Sequence, residues 1–219
     1  FECMQANNLV LQIHGEVVTG DIFDREALFI ETHLKSIMQD FPRLRIVLEH
    51  ISTKTAVDFV EAASDTLAAT ITPHHLLYNR NQFLAGGVRP HYYCLPILKR
   101  ERDQQALQVA ATSGNPKFFA GTDSAPHGIK QKECASGCAG IYSAPFALSM
   151  YTELFEQVDA LERLEAFLSQ FGADFYELPV SSEYIELIRK PVQVPEQFIF
   201  EKVNVVPVHA GEQFNWSVR

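Results

Sequence analysis

Four short, mainly apolar runs organise the chain, and each leads into a polar residue or a proline. Residues 9–13 end at His14-Gly15-Glu16, and residues 45–49 lead into His50-Ile51-Ser52. Residues 67–72 end at Pro73, and residues 118–122 (Phe-Phe-Ala-Gly-Thr) end at Asp123. Runs that are apolar throughout, without alternation, belong to strands covered on both faces, which is the signature of a parallel sheet. Between them lie segments with helical spacing. In residues 24–41 an apolar stripe of Leu28, Phe29, Leu34, Ile37, Met38 and Phe41 predicts a helix with Asp24 as N-cap. Further helices are predicted over 53–63, 104–111, 144–158 and 161–171, and Glu2 to Ala6 reads as a helix end. Residues 73–96 read as one long loop, a length that is usually functional. Beyond Pro179 the pattern turns irregular, with short extended runs at 184–188, 198–200 and 203–208.

Strand and helix in alternation predict an α/β fold. Four such units make half of a (β/α)8 TIM barrel, whose full length is about 250 residues. The chain therefore reads as a single domain over 1–219, with βα units and helices to residue 178 and a C-terminal extension over 179–219. It opens on Phe1, already inside patterned sequence, and is expected to be a piece of a longer chain.

Composition narrows the class. With 219 residues, 47% hydrophobic, the chain has the composition of an ordinary globular protein. A formal net charge of −9 argues against a nucleic-acid partner, which needs clustered Lys and Arg. No run of some 18 apolar residues is present, so no membrane span is expected, and a cytoplasmic location is the default. Four cysteines are too sparse for a secreted disulfide framework, so reduced thiols are expected.

The chemistry gathers where the strands end. In a βα barrel the carboxyl ends of all strands open on one face, so His14, His50 and Asp123 converge although they are far apart in sequence. Imidazoles with a carboxylate suit Zn2+ or a similar divalent ion. One histidine at a strand end is more often structural than a ligand, but three potential ligands at equivalent positions favour a metal. His74-His75, neighbours in a segment read as extended, would point in opposite directions and are taken as structural. Cys134 and Cys138 lie on a Gly/Ala-rich loop and lack the two further ligands of a structural zinc site.

Six motifs in order carry a resemblance. They are Gln12-Ile13-His14-Gly15-Glu16, Leu48-Glu49-His50-Ile51-Ser52-Thr53-Lys54, Ala68-Ala69-Thr70-Ile71-Thr72-Pro73-His74-His75-Leu76, Gly87-Val88-Arg89-Pro90, Tyr93-Cys94-Leu95-Pro96-Ile97-Leu98-Lys99-Arg100 and Gly121-Thr122-Asp123-Ser124-Ala125-Pro126-His127. With them the chain resembles the dihydroorotases, of the compact, single-function bacterial class within the amidohydrolases, along essentially its whole length. The resemblance implies a metal-dependent hydrolase barrel and the reversible zinc-dependent hydrolysis of dihydroorotate to N-carbamoyl-aspartate in pyrimidine synthesis. It implies two zinc ions, with His14 and His50 on the second and Asp123 on the first, Asp123 also moving the proton. It further implies that His14, Leu95, His127 and Ala139 hold the substrate, Leu95 through its backbone.

Two parts of the family pattern, the His-x-His-x-Arg motif of the first strand and a carbamylated lysine, are not found here. The chain is thus expected to be the C-terminal part of such an enzyme, partnered by the N-terminal remainder and forming a homodimer, with little activity alone. A non-catalytic half barrel serving as scaffold is the alternative. The segment from Val88 to Arg100 does not resemble hydantoinases or allantoinases.

Overall fold

The computed structural model describes all 219 residues, Phe1–Arg219. Four parallel strands form one sheet in sequence order: β1 (Val10–His14), β2 (Arg45–Glu49), β3 (Leu67–Ile71) and β4 (Phe118–Ala120). Register is tight, with Ile13 opposite Leu48, Leu48 opposite Ala69 and Ile71 opposite Ala120. All five residues of β3 and the central three of β2 are buried, as expected of strands covered on both faces. The largest apolar cluster joins Leu48, Leu67, Ile71 and Phe118 of the sheet to Val57, Leu107, Tyr151 and Phe155 of the covering helices.

The helices follow the predicted spacing with informative differences. The predicted 24–41 helix is one continuous run, Arg25 to Asp40, in which Ile30–Leu34 is a π-helical turn set between Arg25–Phe29 and Lys35–Asp40, and Asp24 stands at its N-cap without a side-chain capping bond. The predicted 104–111 helix starts earlier, as Glu101–Thr112, because Asp103 accepts from the backbone N–H of Arg100 and closes its first turn. The predicted 161–171 helix extends to Tyr176 through a π turn at Ala166–Gln170. β4 is shorter than the predicted 118–122.

The largest correction concerns residues 73–96, which are not an open loop. Thr72 accepts from the His75 N–H and Pro73 takes the first helical position, so Pro73–Leu77 is a helical turn. A capping box between Asn79 and Gln82 starts a second, Arg80–Leu84. His74 and His75 are therefore neighbours on a helix and not residues of an extended segment, with ring centroids 4.8 Å apart.

β1 and β4 each pair on one side only, as in part of a barrel. Beside β4 lies a groove of about 850 Å3 walled by Ala120, Leu148, Tyr151, Leu164, Leu168 and Ile185. The C-terminal extension builds three two-stranded antiparallel ribbons, among them Phe198–Phe200 against Val203–Val205. No helix is long and apolar enough to cross a membrane.

Candidate active site at the strand ends

The carboxyl ends of β1, β2 and β4 open into a common cleft of about 270 Å3, lined by His14, His50 and Asp123 together with Gln12, Glu49, Thr70 and Gly121. His14 is the last residue of β1, His50 follows β2, and Asp123 stands three residues past β4. His50 (φ 42°) and Asp123 (φ 40°) both adopt the left-handed region. That conformation costs a non-glycine residue about 1–3 kcal/mol and clusters at functional sites.

The two imidazoles converge. His14 Nδ1 lies 3.0 Å from His50 Nε2, at hydrogen-bond distance and a few tenths of an ångström inside the separation of two nitrogens bound tetrahedrally to one zinc at about 2.0–2.1 Å each. Burial, reinforced by His14, lowers His50 to about 4, so at neutral pH it is uncharged and has a lone pair to offer. The other His50 ring nitrogen, Nδ1, is buried without a partner. Burial raises the Asp123 carboxyl above the ordinary range, with His14 opposing the shift. The donor set and its geometry fit a divalent metal.

Residues not singled out by sequence reasoning complete this arrangement. Glu16 Oε2 lies 3.3 Å from His14 Nε2 and Glu16 Oε1 lies 3.5 Å from the buried Lys99 Nζ. Burial would raise the Glu16 carboxyl, but the His14 bond and Lys99 outweigh it and bring it below its usual range. A carboxylate on the outer nitrogen of an imidazole fixes ring orientation and turns the inner nitrogen toward a metal. Thr70 accepts from the His50 N–H at 2.6 Å and donates to Glu49 at 2.6 Å, which ties β3 to the strained turn. Gly121 permits this, because a Cβ there would fall 2.7 Å from Thr70 Cβ. The signal for Glu16 was its place two residues past a strand-end histidine, but its second contact, to Lys99, comes from 83 residues away.

Leu95, His127 and Ala139 do not line the cleft. They gather on neighbouring loops, sewn to the cleft through residues 123–125: Ala125 N–H donates to Ile141 at 2.9 Å and Gly140 N–H to Tyr93 at 2.9 Å. Cys134 and Cys138 are on the same loop, and all four cysteines are unpaired.

His74, His75 and Cys94 bring ligand-type atoms within 4.8 Å of one another in the interior. His75 already uses both nitrogens, on Thr72 Oγ1 at 2.7 Å and the Pro96 carbonyl at 3.0 Å. The Cys94 thiol donates to the same carbonyl at 3.1 Å, and burial pushes it up to about 12, far from a ligating thiolate. His74 has both ring nitrogens buried without a partner.

A parallel sheet with imidazole and carboxylate side chains gathered at its carboxyl ends defines part of a barrel of the amidohydrolase type. The L-hydantoinase of Arthrobacter aurescens shares this fold at TM-score 0.80 over 99% of the chain, with 14% identity. The dihydroorotases are nearer. The Saccharomyces cerevisiae dihydroorotase, solved with 5-fluoroorotic acid, superposes at TM-score 0.90 with 37% identity, over 100% of this chain and 65% of that one. The curated dihydroorotase of Teredinibacter turnerae is 58% identical over 220 residues, covering 100% of this chain. No family model matches. The chain is homologous to dihydroorotases along its whole length and spans 64% of that curated relative, in agreement with a C-terminal portion.

Proposed function

We propose that this chain supplies the C-terminal part of a dihydroorotase, which opens the cyclic amide of dihydroorotate to N-carbamoyl-L-aspartate, reversibly, in pyrimidine synthesis in the cytoplasm. The observation that carries the reading is the convergence of His14 Nδ1 and His50 Nε2 at 3.0 Å in one cleft with Asp123, on a chain 58% identical to a dihydroorotase.

In this reading His14 and His50 hold one zinc and Asp123 a second, with the remaining ligands coming from the N-terminal remainder of the protein. Three protein ligands per catalytic zinc are usual, and this chain offers fewer. When bound, such ions polarise the amide carbonyl and acidify water. Asp123 is the proton carrier: its carboxylate takes the proton of the attacking water and passes it to the leaving ring nitrogen. His14, at the cleft wall, also meets the substrate. His127 donates to the substrate carboxylate, while the backbone groups of Leu95 and Ala139 read the edge of the ring. The apolar groove beside β4 and the open edges of β1 and β4 are covered by the N-terminal remainder, and the complete protein is a homodimer. A non-catalytic scaffold is not favoured, given relatives that are dihydroorotases.

The test is Asp123→Asn in the complete protein. Dihydroorotate hydrolysis falls at least about 10^3-fold while the fold is kept, as expected when a proton carrier beside a metal is lost. Undiminished hydrolysis refutes the assignment.

A further inference from the structure

Lys132 is a buried lysine with no acidic partner. It ends the four-residue helix Ile129–Lys132 and is only 4% exposed. No carboxylate lies within ion-pair distance of it, in contrast to its neighbour Glu133, which pairs with His91 at 2.8 Å. Instead its Nζ donates to three backbone carbonyls, Tyr93 at 2.8 Å, Cys138 at 2.9 Å and Gly140 at 2.7 Å. An ammonium has three donors, and all three are used. The amine also lies 5.7 Å from the centroid of the Tyr93 ring, within cation–π range.

The identity of the three carbonyls gives the arrangement meaning. Two of them flank Ala139 on either side, and the third precedes Leu95 by two residues. A trans peptide sets its N–H opposite its C=O. Drawing the Cys138 carbonyl onto the ammonium therefore turns the Ala139 N–H away from it, and that N–H makes no hydrogen bond within the chain. Gly140 lets the loop close: it sits at φ +146°, and a Cβ there would fall 2.5 Å from the Ala125 carbonyl and 2.9 Å from the His127 ring. Lys132 thus organises the loop at the point where it meets the residues leading to His127.

We propose that Lys132 is a positioning residue for substrate. Its ammonium locks the peptide planes around Ala139 so that the Ala139 N–H stands as a fixed, free donor for an oxygen of the bound cyclic amide. The nature of that ligand rests on the dihydroorotase reading; the clamp itself does not. Burial brings the amine down to about 8, which marks how far it has been taken from water.

The experiment is Lys132→Met in the complete protein, with Lys132→Arg and Lys132→Gln beside it. Two readouts are taken: amide hydrogen exchange over 133–141, and the steady-state hydrolysis of dihydroorotate. In Lys132→Met, exchange over 133–141 accelerates at least about tenfold while β1 to β4 stay unchanged. KM rises about tenfold or more with kcat within about threefold and the zinc content intact, which is the signature of lost ground-state positioning. Lys132→Arg, which keeps the charge and the donors, recovers most of the loss. Where Lys132→Met does not fold, Lys132→Gln gives the same readouts with part of the donor set retained. Unchanged exchange over 133–141 overturns the clamp. Faster exchange with unchanged KM overturns the positioning role. If the unsubstituted protein does not hydrolyse dihydroorotate, the functional reading fails, and the exchange data still decide the clamp.

Discussion

His14 and His50 meet at the open ends of β1 and β2, whereas His74 and His75 lie side by side on a helical turn that the surrounding core seals. The first pair has a cleft in front of it, Asp123 across that cleft, and two nitrogens pointing at each other. In the second pair, His75 is tied at both nitrogens to Thr72 and Pro96, and His74 is wholly enclosed. Burial keeps His50 neutral, at about 4, and lowers His74 still further, to about 3. Neutrality alone therefore does not distinguish the two pairs. What separates the pairs is access, a nearby carboxylate, and an outer partner such as Glu16 that aims the ring.

That contrast breaks most visibly under substitution of the open pair. His50→Ala in the complete protein removes a proposed metal ligand, and turnover falls by about 10^3-fold or more, several kcal/mol of transition-state stabilisation. His74→Gln leaves turnover within about threefold; a loss comparable to that of His50→Ala would erase the distinction. His75→Ala acts on stability instead. It leaves Thr72 and the Pro96 carbonyl short of a partner and opens a cavity, costing about 2–3 kcal/mol in denaturant unfolding with zinc content preserved. Glu16→Gln sharpens the comparison from the other side. The fold stays, and zinc affinity, measured by chelator competition, drops about 10- to 100-fold.

The smallest effect is on pH. The folded pKa values of His74 and His75 are depressed, so between about 6.5 and the folded values the unfolded chain binds more protons than the folded one. Their contribution to stability is complete above about 6.5 and is lost as pH falls toward about 3 for His74. Each group adds a slope of at most about 1.4 kcal/mol per pH unit. Burial raises the Glu26 carboxyl, which opposes the trend between about 4.5 and its own folded value. His74→Gln flattens the acid limb of a chemical-denaturation series, and an unchanged slope would show that His74 is solvated.

Much of this arrangement was legible in the sequence, for a physical reason. Strands buried on both faces must be apolar throughout, so β2 and β3 stood out, and the residues ending such strands were bound to share one rim. His14, His50 and Asp123 were found that way. Glu16 was not, because its carboxylate is shared between the nearby His14 and Lys99, 83 residues on, and that second contact leaves no local pattern. The helical turn at His74 was hidden by its length, although Thr72-Pro73 carries the N-cap and first-position signals in plain view. Lys132 looked like any surface lysine, since backbone carbonyls leave no trace in a sequence. The ribbons of the extension are two or three residues a side, too short for any period to register.

The most direct test of the strand-end site is the zinc content of the purified complete protein, read together with dihydroorotate hydrolysis before and after chelation. About two zinc ions per chain are expected, with hydrolysis lost on chelation and regained when zinc returns, and with the His14→Ala/His50→Ala double variant short of zinc. Full hydrolysis by zinc-free protein, or a double variant that keeps both ions, would contradict the assignment of His14, His50 and Asp123 to a catalytic metal centre.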